Sequence, residues 1–265
     1  MTTQRDVESV LEELAPASLA EDWDNVGWQV RCDSEEITGI LCAVDTTAAV
    51  VEEAAKLGAN LILSHHPLLF RPLRNIDVGS RVGGIVASAL KRRISIFSAH
   101  TNWDAAPGGI SWALARELGL EPLEPLLPVD GFSGAGMGVV AESHSPLSVT
   151  SLVSQLKNGL GSAVTSCVGD TDNHRRIALM GGSGTIGIGR ASATGATLYI
   201  TADVRYHDAQ EAEAAGLSLL VIDHGASERP GMSELGTILA SRLAAPVTLS
   251  RTPTSPWRLL TDATD

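Results

Sequence analysis

Two α/β domains, each a mainly parallel or mixed sheet covered by helices, are the fold this sequence predicts. Three observations carry the prediction. Short apolar runs alternate with alanine-rich helical stretches, a proline-rich segment breaks that rhythm near the middle, and several apolar runs finish in histidine or a carboxylate. Alternating strand and helix periodicities are how a parallel sheet is written, because parallel neighbours need a long crossover that returns the chain to the same edge.

The rhythm starts with a strand at Ile37 to Val44 and a helix at Ala48 to Leu57. It repeats as Asn60 to Ser64 with Gly79 to Leu90, and as Ile94 to Ala99 with Gly109 to Leu118. Glu121 to Pro128, Glu-Pro-Leu-Glu-Pro-Leu-Leu-Pro, cannot sustain a helix, since proline lacks the amide donor and clashes with the preceding turn. The boundary is placed there, giving domains over residues 1–126 and 127–265. The second half restarts with a strand at Gly136 to Ala141 and a helix at Leu147 to Gly159. Strands at Ile177 to Met180, Ala196 to Thr201 and Leu217 to Ile222 follow, with a helix at Asp208 to Ala215. A final helix over Ser233 to Leu243 is free to pack back on the first domain, and the tail from Arg251 to Asp265 reads as a loosely held end.

Composition narrows the function. The 265 residues include 31 acidic and 19 basic side chains, a net charge of −12, which disfavours nucleic acid and anionic membrane as partners and leaves cation binding open. Cys32, Cys42 and Cys167 are too few and too scattered for a disulfide scaffold or a CxxC metal knuckle, and read as core thiols in a reducing compartment. Met1 to Val10 shows no apolar leader, and no stretch reaches about 18 uninterrupted apolar residues. A cytoplasmic, non-membrane protein is expected.

Three strand ends carry side chains suited to metal: Ser64-His65-His66, the stretch from His100 to Asp104, and Asp223-His224 through Glu228. Open α/β sheets bind ligands beyond the carboxyl ends of their strands, so such residues can converge on one crevice. Imidazoles mixed with carboxylates suit Zn, Mn, Fe, Co or Ni better than calcium or magnesium. For His65 alone, ligation and a capping role weigh evenly. Adjacent strand residues point to opposite faces, so His65 and His66 either serve one metal each or diverge. His144 and His174 read as residues of exposed polar loops, and His207 as a group that supports a ligand.

The blocks Glu21-Asp22-Trp23-Asp24-Asn25-Val26-Gly27, Ser64-His65-His66-Pro67-Leu68, His100 to Gly109 and Asp203-Val204-Arg205-Tyr206-His207-Asp208-Ala209 closely resemble those of the NIF-three-like family, the dinuclear metal centre proteins or GTP cyclohydrolase I type 2 homologues. The resemblance implies two divalent metal ions per subunit held by His65, His66, Asp104, His224 and Glu228, at strand ends between the two domains. It also implies a homo-oligomer, typically a toroidal hexamer. Larger relatives insert a domain between the halves, for which the short proline-rich connection here leaves no room. Two departures stand out: Asp223 and Gly225 flank His224 where the family usually has glycine and an aromatic, and Ala202 stands where glycine is usual. The His-x-x-x-Glu spacing survives, and Asp223 adds a negative group beside the ligands.

A metal pair roughly 3.5–4 Å apart lowers the pKa of a shared water and stabilises oxyanion charge, so hydrolysis by an ionised water is the expected chemistry, with no catalytic side chain assigned. The resemblance points to a nucleotide such as GTP as substrate; phosphoesters fit a metal pair equally well. The alternative is a non-catalytic metal-binding adaptor or regulator. Gly181-Gly182-Ser183-Gly184 reads as a tight turn first and a phosphate cradle second. Trp23 and Trp103 read as packing anchors first, and second as walls for a flat heterocycle.

Overall fold

A computed structural model describes residues 1–160, 164–253 and 255–257. The fold is α/β, with mixed and parallel sheets covered by helices, and the chain divides into two units. The tail expected to be loosely held lies, from residue 258 onward, outside the described residues.

The first unit gathers Met1–Ile110, Val129–Ala135 and Arg229–Pro253. The second takes Ser111–Pro128 and Gly136–Glu228. Where the sequence suggests a single crossing near residue 126, the chain therefore passes between units several times. A proline-rich stretch is a poor boundary marker here because it belongs to a sheet: Glu121–Pro128 is a strand paired antiparallel with Gly136–Leu147. Its three prolines are tolerated because the strand lies at a sheet edge, where one side needs no ladder donors.

In the first unit a five-stranded sheet has the order Val247–Leu249, Ile40–Ala43, Leu61–Ser64, Ser95–Ser98, Gly27–Val30. All neighbours are parallel except the last pair. The central strands are buried on both faces, which is why they read as unbroken apolar runs. Helices Ala48–Leu57 and Arg81–Lys91 supply Val50, Val51, Ala54, Ile85 and Val86 to the core against Leu41, Ile62 and Ile96. Thr47 starts the first of these helices by accepting from the Val50 amide, and Gly58 ends it in the left-handed region that glycine adopts without cost.

The second unit carries a six-stranded sheet ordered Glu121–Pro128, Gly136–Leu147, His174–Ser183, Leu198–Ala202, Ser218–Ile222, Val164–Val168. The three strands from His174 to Ile222 run parallel to one another. Alternate residues pack on opposite faces, Ile177 and Leu179 with Leu152 and Leu156 on one side, Ala178 and Met180 with Tyr199 and Leu219 on the other. Among the described residues no helix is long and apolar enough to cross a membrane.

Candidate metal centre

In each unit the parallel strands deliver ligand-type side chains to their carboxyl ends. In the first, Ile40–Ala43 leads to Asp45, Leu61–Ser64 to His65 and His66, and Ser95–Ser98 to His100. The strand breaks off at Ser64, and of the two alternatives open to this pair the rings do not diverge: His65 and His66 lie 5.0 Å apart, centroid to centroid. Their backbone is fixed. His65 N donates to the Ala43 carbonyl and His66 N to that of Val44, while Ser98 Oγ donates to the His65 carbonyl and Ser64 Oγ to that of His66. Asp104 stands in the short helix Thr101–Ala105, its Oδ1 3.5 Å from His65 Nε2.

His100 completes this group. One nitrogen from each of His65, His66 and His100 can be chosen so that all three lie within 4.8 Å of one another. Asp24 holds His100, its Oδ1 2.8 Å from Nδ1, and also accepts from Thr101 N and Oγ1. Burial raises the Asp24 carboxyl, but hydrogen bonds from His100, Thr101 and the Asn25 amide, together with the electrostatic attraction of His100, outweigh it, bringing its pKa down to about 2.

In the second unit the parallel strands end at Ser183, Ala202 and Ile222, followed by Asp203 and by the helix His224–Arg242. His224 Nε2 lies 2.9 Å from Glu228 Oε1, one helical turn on, and Asp203 Oδ2 lies 2.6 Å from His224 Nδ1. Gly182, at φ +68°, approaches this pair closely: a Cβ there would lie 2.5 Å from Glu228 Oε1 and 3.3 Å from His224 Nε2. Glycine at 182 is thus accounted for by close approach to His224 and Glu228, and at 184 by the Thr201 and Tyr199 hydroxyls that a Cβ would clash with. Asp223 caps the helix, accepting from Ala226 N and from Ser255 Oγ, which gives the departure at this position a local structural role.

One rule runs through both groups. His65 Nδ1 is bonded to the Ala99 carbonyl, His66 Nδ1 to Asp45, His100 Nδ1 to Asp24 and His224 Nδ1 to Asp203. An acceptor at Nδ1 is how metal-ligating histidines are oriented when Nε2 is the ligating atom. Nitrogen donors set among carboxylates fit a first-row transition cation. The five proposed ligands divide as His65, His66 and Asp104 in the first unit and His224 and Glu228 in the second.

Other readings change. His174 is buried at the start of a strand, held by Thr197 Oγ1 and the Asp170 carbonyl, instead of lying in an exposed loop. His207 is exposed, and its Nδ1 pairs with Gln210 Oε1 at 3.1 Å. Of the thiols only Cys42 is a core residue, its pKa pushed up by burial to about 12; Cys32 is half-buried and Cys167 exposed. Trp103 is a packing anchor at 1% exposure, whereas Trp23 is open to solvent.

The sequence profile of the Duf34/NIF3 (NGG1p interacting factor 3) family matches residues 2–256. The chain belongs to that family. A GTP cyclohydrolase 1 type 2 homolog of Clostridium perfringens is 37% identical over 245 residues, 91% of this chain and 93% of the relative. The GTP cyclohydrolase 1 type 2 of Helicobacter pylori is 31% identical, covering 86% and 88%. Among solved structures, a Staphylococcus aureus hypothetical protein superposes with a TM-score of 0.88 at 28% identity, over 98% of this chain and 99% of that one. Within the Duf34/NIF3 family, then, this chain carries both ligand-type groups at strand ends.

Proposed function

We propose that this Duf34/NIF3 protein is a cytoplasmic dinuclear-metal hydrolase that acts on a nucleotide, in line with the names of its GTP cyclohydrolase relatives. His65, His66, Asp104, His224 and Glu228 would together hold two divalent ions from the set Zn, Mn, Fe, Co and Ni, in a homo-oligomer that the family resemblance makes a hexamer. The observation that supports this most is the anchoring of each histidine at Nδ1. Four imidazoles at strand ends, each oriented by an acceptor at Nδ1, match the way supporting groups hold metal-ligating histidines.

Divalent ions at such a donor set supply Lewis acidity and make water ionisable near neutral pH. The chain's own part is orientation and charge. Asp45 and Asp203 raise the basicity of the rings they hold, Asp104 and Glu228 balance cationic charge, and the Ser64 and Ser98 hydroxyls keep the His65-His66 backbone from shifting.

Metal analysis of the protein as purified, then reconstitution with each of the five metals and incubation with GTP and a phosphoester panel, tests this reading. Two ions per chain are expected, with fewer ions and lost turnover in His65→Ala and Glu228→Ala. Metal without turnover above those variants would make the chain a binding adaptor; no metal at all would end the proposal.

A further inference from the structure

Beside the histidine cluster of the first unit stand two exposed aromatic rings. Trp23 is 59% and Phe70 48% exposed, and they meet edge to face with centroids 5.8 Å apart. Both also face His100, at 6.1 and 6.4 Å. A single exposed aromatic residue needs no explanation. A fixed pair is different, and the backbone under these two is pinned. Glu21 N donates to Thr101 Oγ1, and Asp24 is bound by His100 and Thr101, so Trp23 is held on both sides. Asn25 Nδ2 donates to the Leu69 carbonyl and Leu69 N to Gln29 Oε1, which ties the residue before Phe70 to the loop that carries Trp23.

Rings held out to water by a rigid frame lose little freedom when something stacks on them, and stacking on aromatic side chains is tolerant of ring type. The same loop continues into Arg71 and Arg74, both exposed, and among the described residues neither makes an ion pair. Asp77 is the sole acid between His66 and Arg81. In a chain of net charge −12 this is a locally basic, aromatic stretch directly after the histidine pair.

We propose that Trp23 and Phe70 seat a planar heteroaromatic ring of the ligand handled at the histidine cluster, with Arg71 and Arg74 drawing in its anionic group, a role that rests on the metal-centre reading above. Calorimetric titration of the full chain with GMP and FMN as ring-bearing probes, and with ribose 5-phosphate as the probe without a ring, tests it. At least one ring-bearing probe should bind more tightly than ribose 5-phosphate. Trp23→Ala should weaken that probe about tenfold while leaving ribose 5-phosphate unchanged, and Trp23→Phe should restore most of the loss. Arg71→Ala with Arg74→Ala should weaken all probes and flatten their salt dependence.

If neither ring-bearing probe exceeds ribose 5-phosphate, or Trp23→Ala leaves its affinity unchanged, the proposal is overturned. Equally, a Trp23→Ala protein that sediments as a smaller assembly with unaltered probe affinity would overturn it and assign the rings to a contact between copies of this chain. Metal content measured on the same samples keeps the two readings apart: loss of ring selectivity in a fully metallated Trp23→Ala protein supports the seat, and ring selectivity in a wild type that holds no metal sinks the metal reading while leaving the seat intact.

Discussion

Gly182→Ala is the sharpest single perturbation of the second unit. The new methyl would sit 2.5 Å from Glu228 Oε1 on a backbone whose φ is +68°. Neither side yields easily. Gly182 N donates to Ser227 Oγ at 2.8 Å and its carbonyl accepts from Thr201 Oγ1 at 3.2 Å, while Glu228 is only 3% exposed. Left-handed backbone costs a non-glycine residue ~1–2 kcal/mol and a methyl forced into a filled site ~1–3 kcal/mol. A combined loss of about 3 kcal/mol corresponds to a melting temperature lower by roughly 10 °C. The Glu228 carboxylate must also move away from His224, so metal affinity should fall by about tenfold or more, as when the groups that orient a ligand are disturbed. Calorimetric melting of metal-free protein and a metal titration read the two effects separately. Gly189→Ala is the control, because a Cβ there meets no atom within 4 Å. If Gly182→Ala melts with the wild type, or binds metal as tightly, the close approach of Gly182 to His224 and Glu228 has no energetic meaning.

Two further substitutions probe the first unit. Trp103→Ala should cost about 3–5 kcal/mol, measured by denaturant titration, because the ring is buried and its Nε1 donates to the Gly231 carbonyl; the loss should appear with or without metal. Asp24→Asn should destabilise the protein near neutral pH and much less in acid. The folded-state pKa of about 2 lies below the ordinary 3.8, so this carboxylate's contribution is full above pH 4 and lost as the pH falls towards 2. Asparagine keeps part of the hydrogen bonding, which holds the difference to about 1–2 kcal/mol, and urea titrations at pH 6 and pH 3 should show the wild-type and Asp24→Asn curves converging.

What the sequence revealed and what it hid follow from burial. Ile40–Ala43, Leu61–Ser64, Leu198–Ala202 and Ser218–Ile222 are interior strands covered on both faces, so each reads as a continuous apolar run. Gly27–Val30, Glu121–Pro128, Val164–Val168 and Val247–Leu249, absent from the sequence reading as strands, are the four edges of the two larger sheets. An edge pairs on one side only and tolerates glycine, proline and polar residues that erase the pattern. The five proposed ligands were legible through motif resemblance, but the groups that orient them were not. Asp45 lies 21 residues before His66 and looks like ordinary lead-in to a helix, and no local spacing links Asp203 to His224. His174 was misread for a related reason: its neighbours Asp170, Asp172 and Asn173 are polar, yet Thr197 and the Asp170 carbonyl satisfy the ring inside the protein.

Asp203 offers a test in which stability and binding move in opposite directions. It is a non-glycine residue at φ +54°, and its carboxylate reaches His224 Nδ1 at 2.6 Å. Left-handed backbone is a cost that glycine does not bear, so Asp203→Gly should recover up to ~1 kcal/mol of local strain, less what the more flexible unfolded chain takes back. The same change removes the acceptor that keeps the proton on Nδ1 of His224, and with it about 10–100-fold in metal affinity. Asp203→Asn should keep the backbone and an acceptor oxygen while losing the charge, and so fall between wild type and glycine in affinity. A residue kept only for its turn would lose nothing in metal binding on becoming glycine. Equal affinity in Asp203→Gly and wild type would therefore refute the assignment of Asp203 as the group that orients His224, and a strained aspartate at a strand end would be left with no chemical reason to be there.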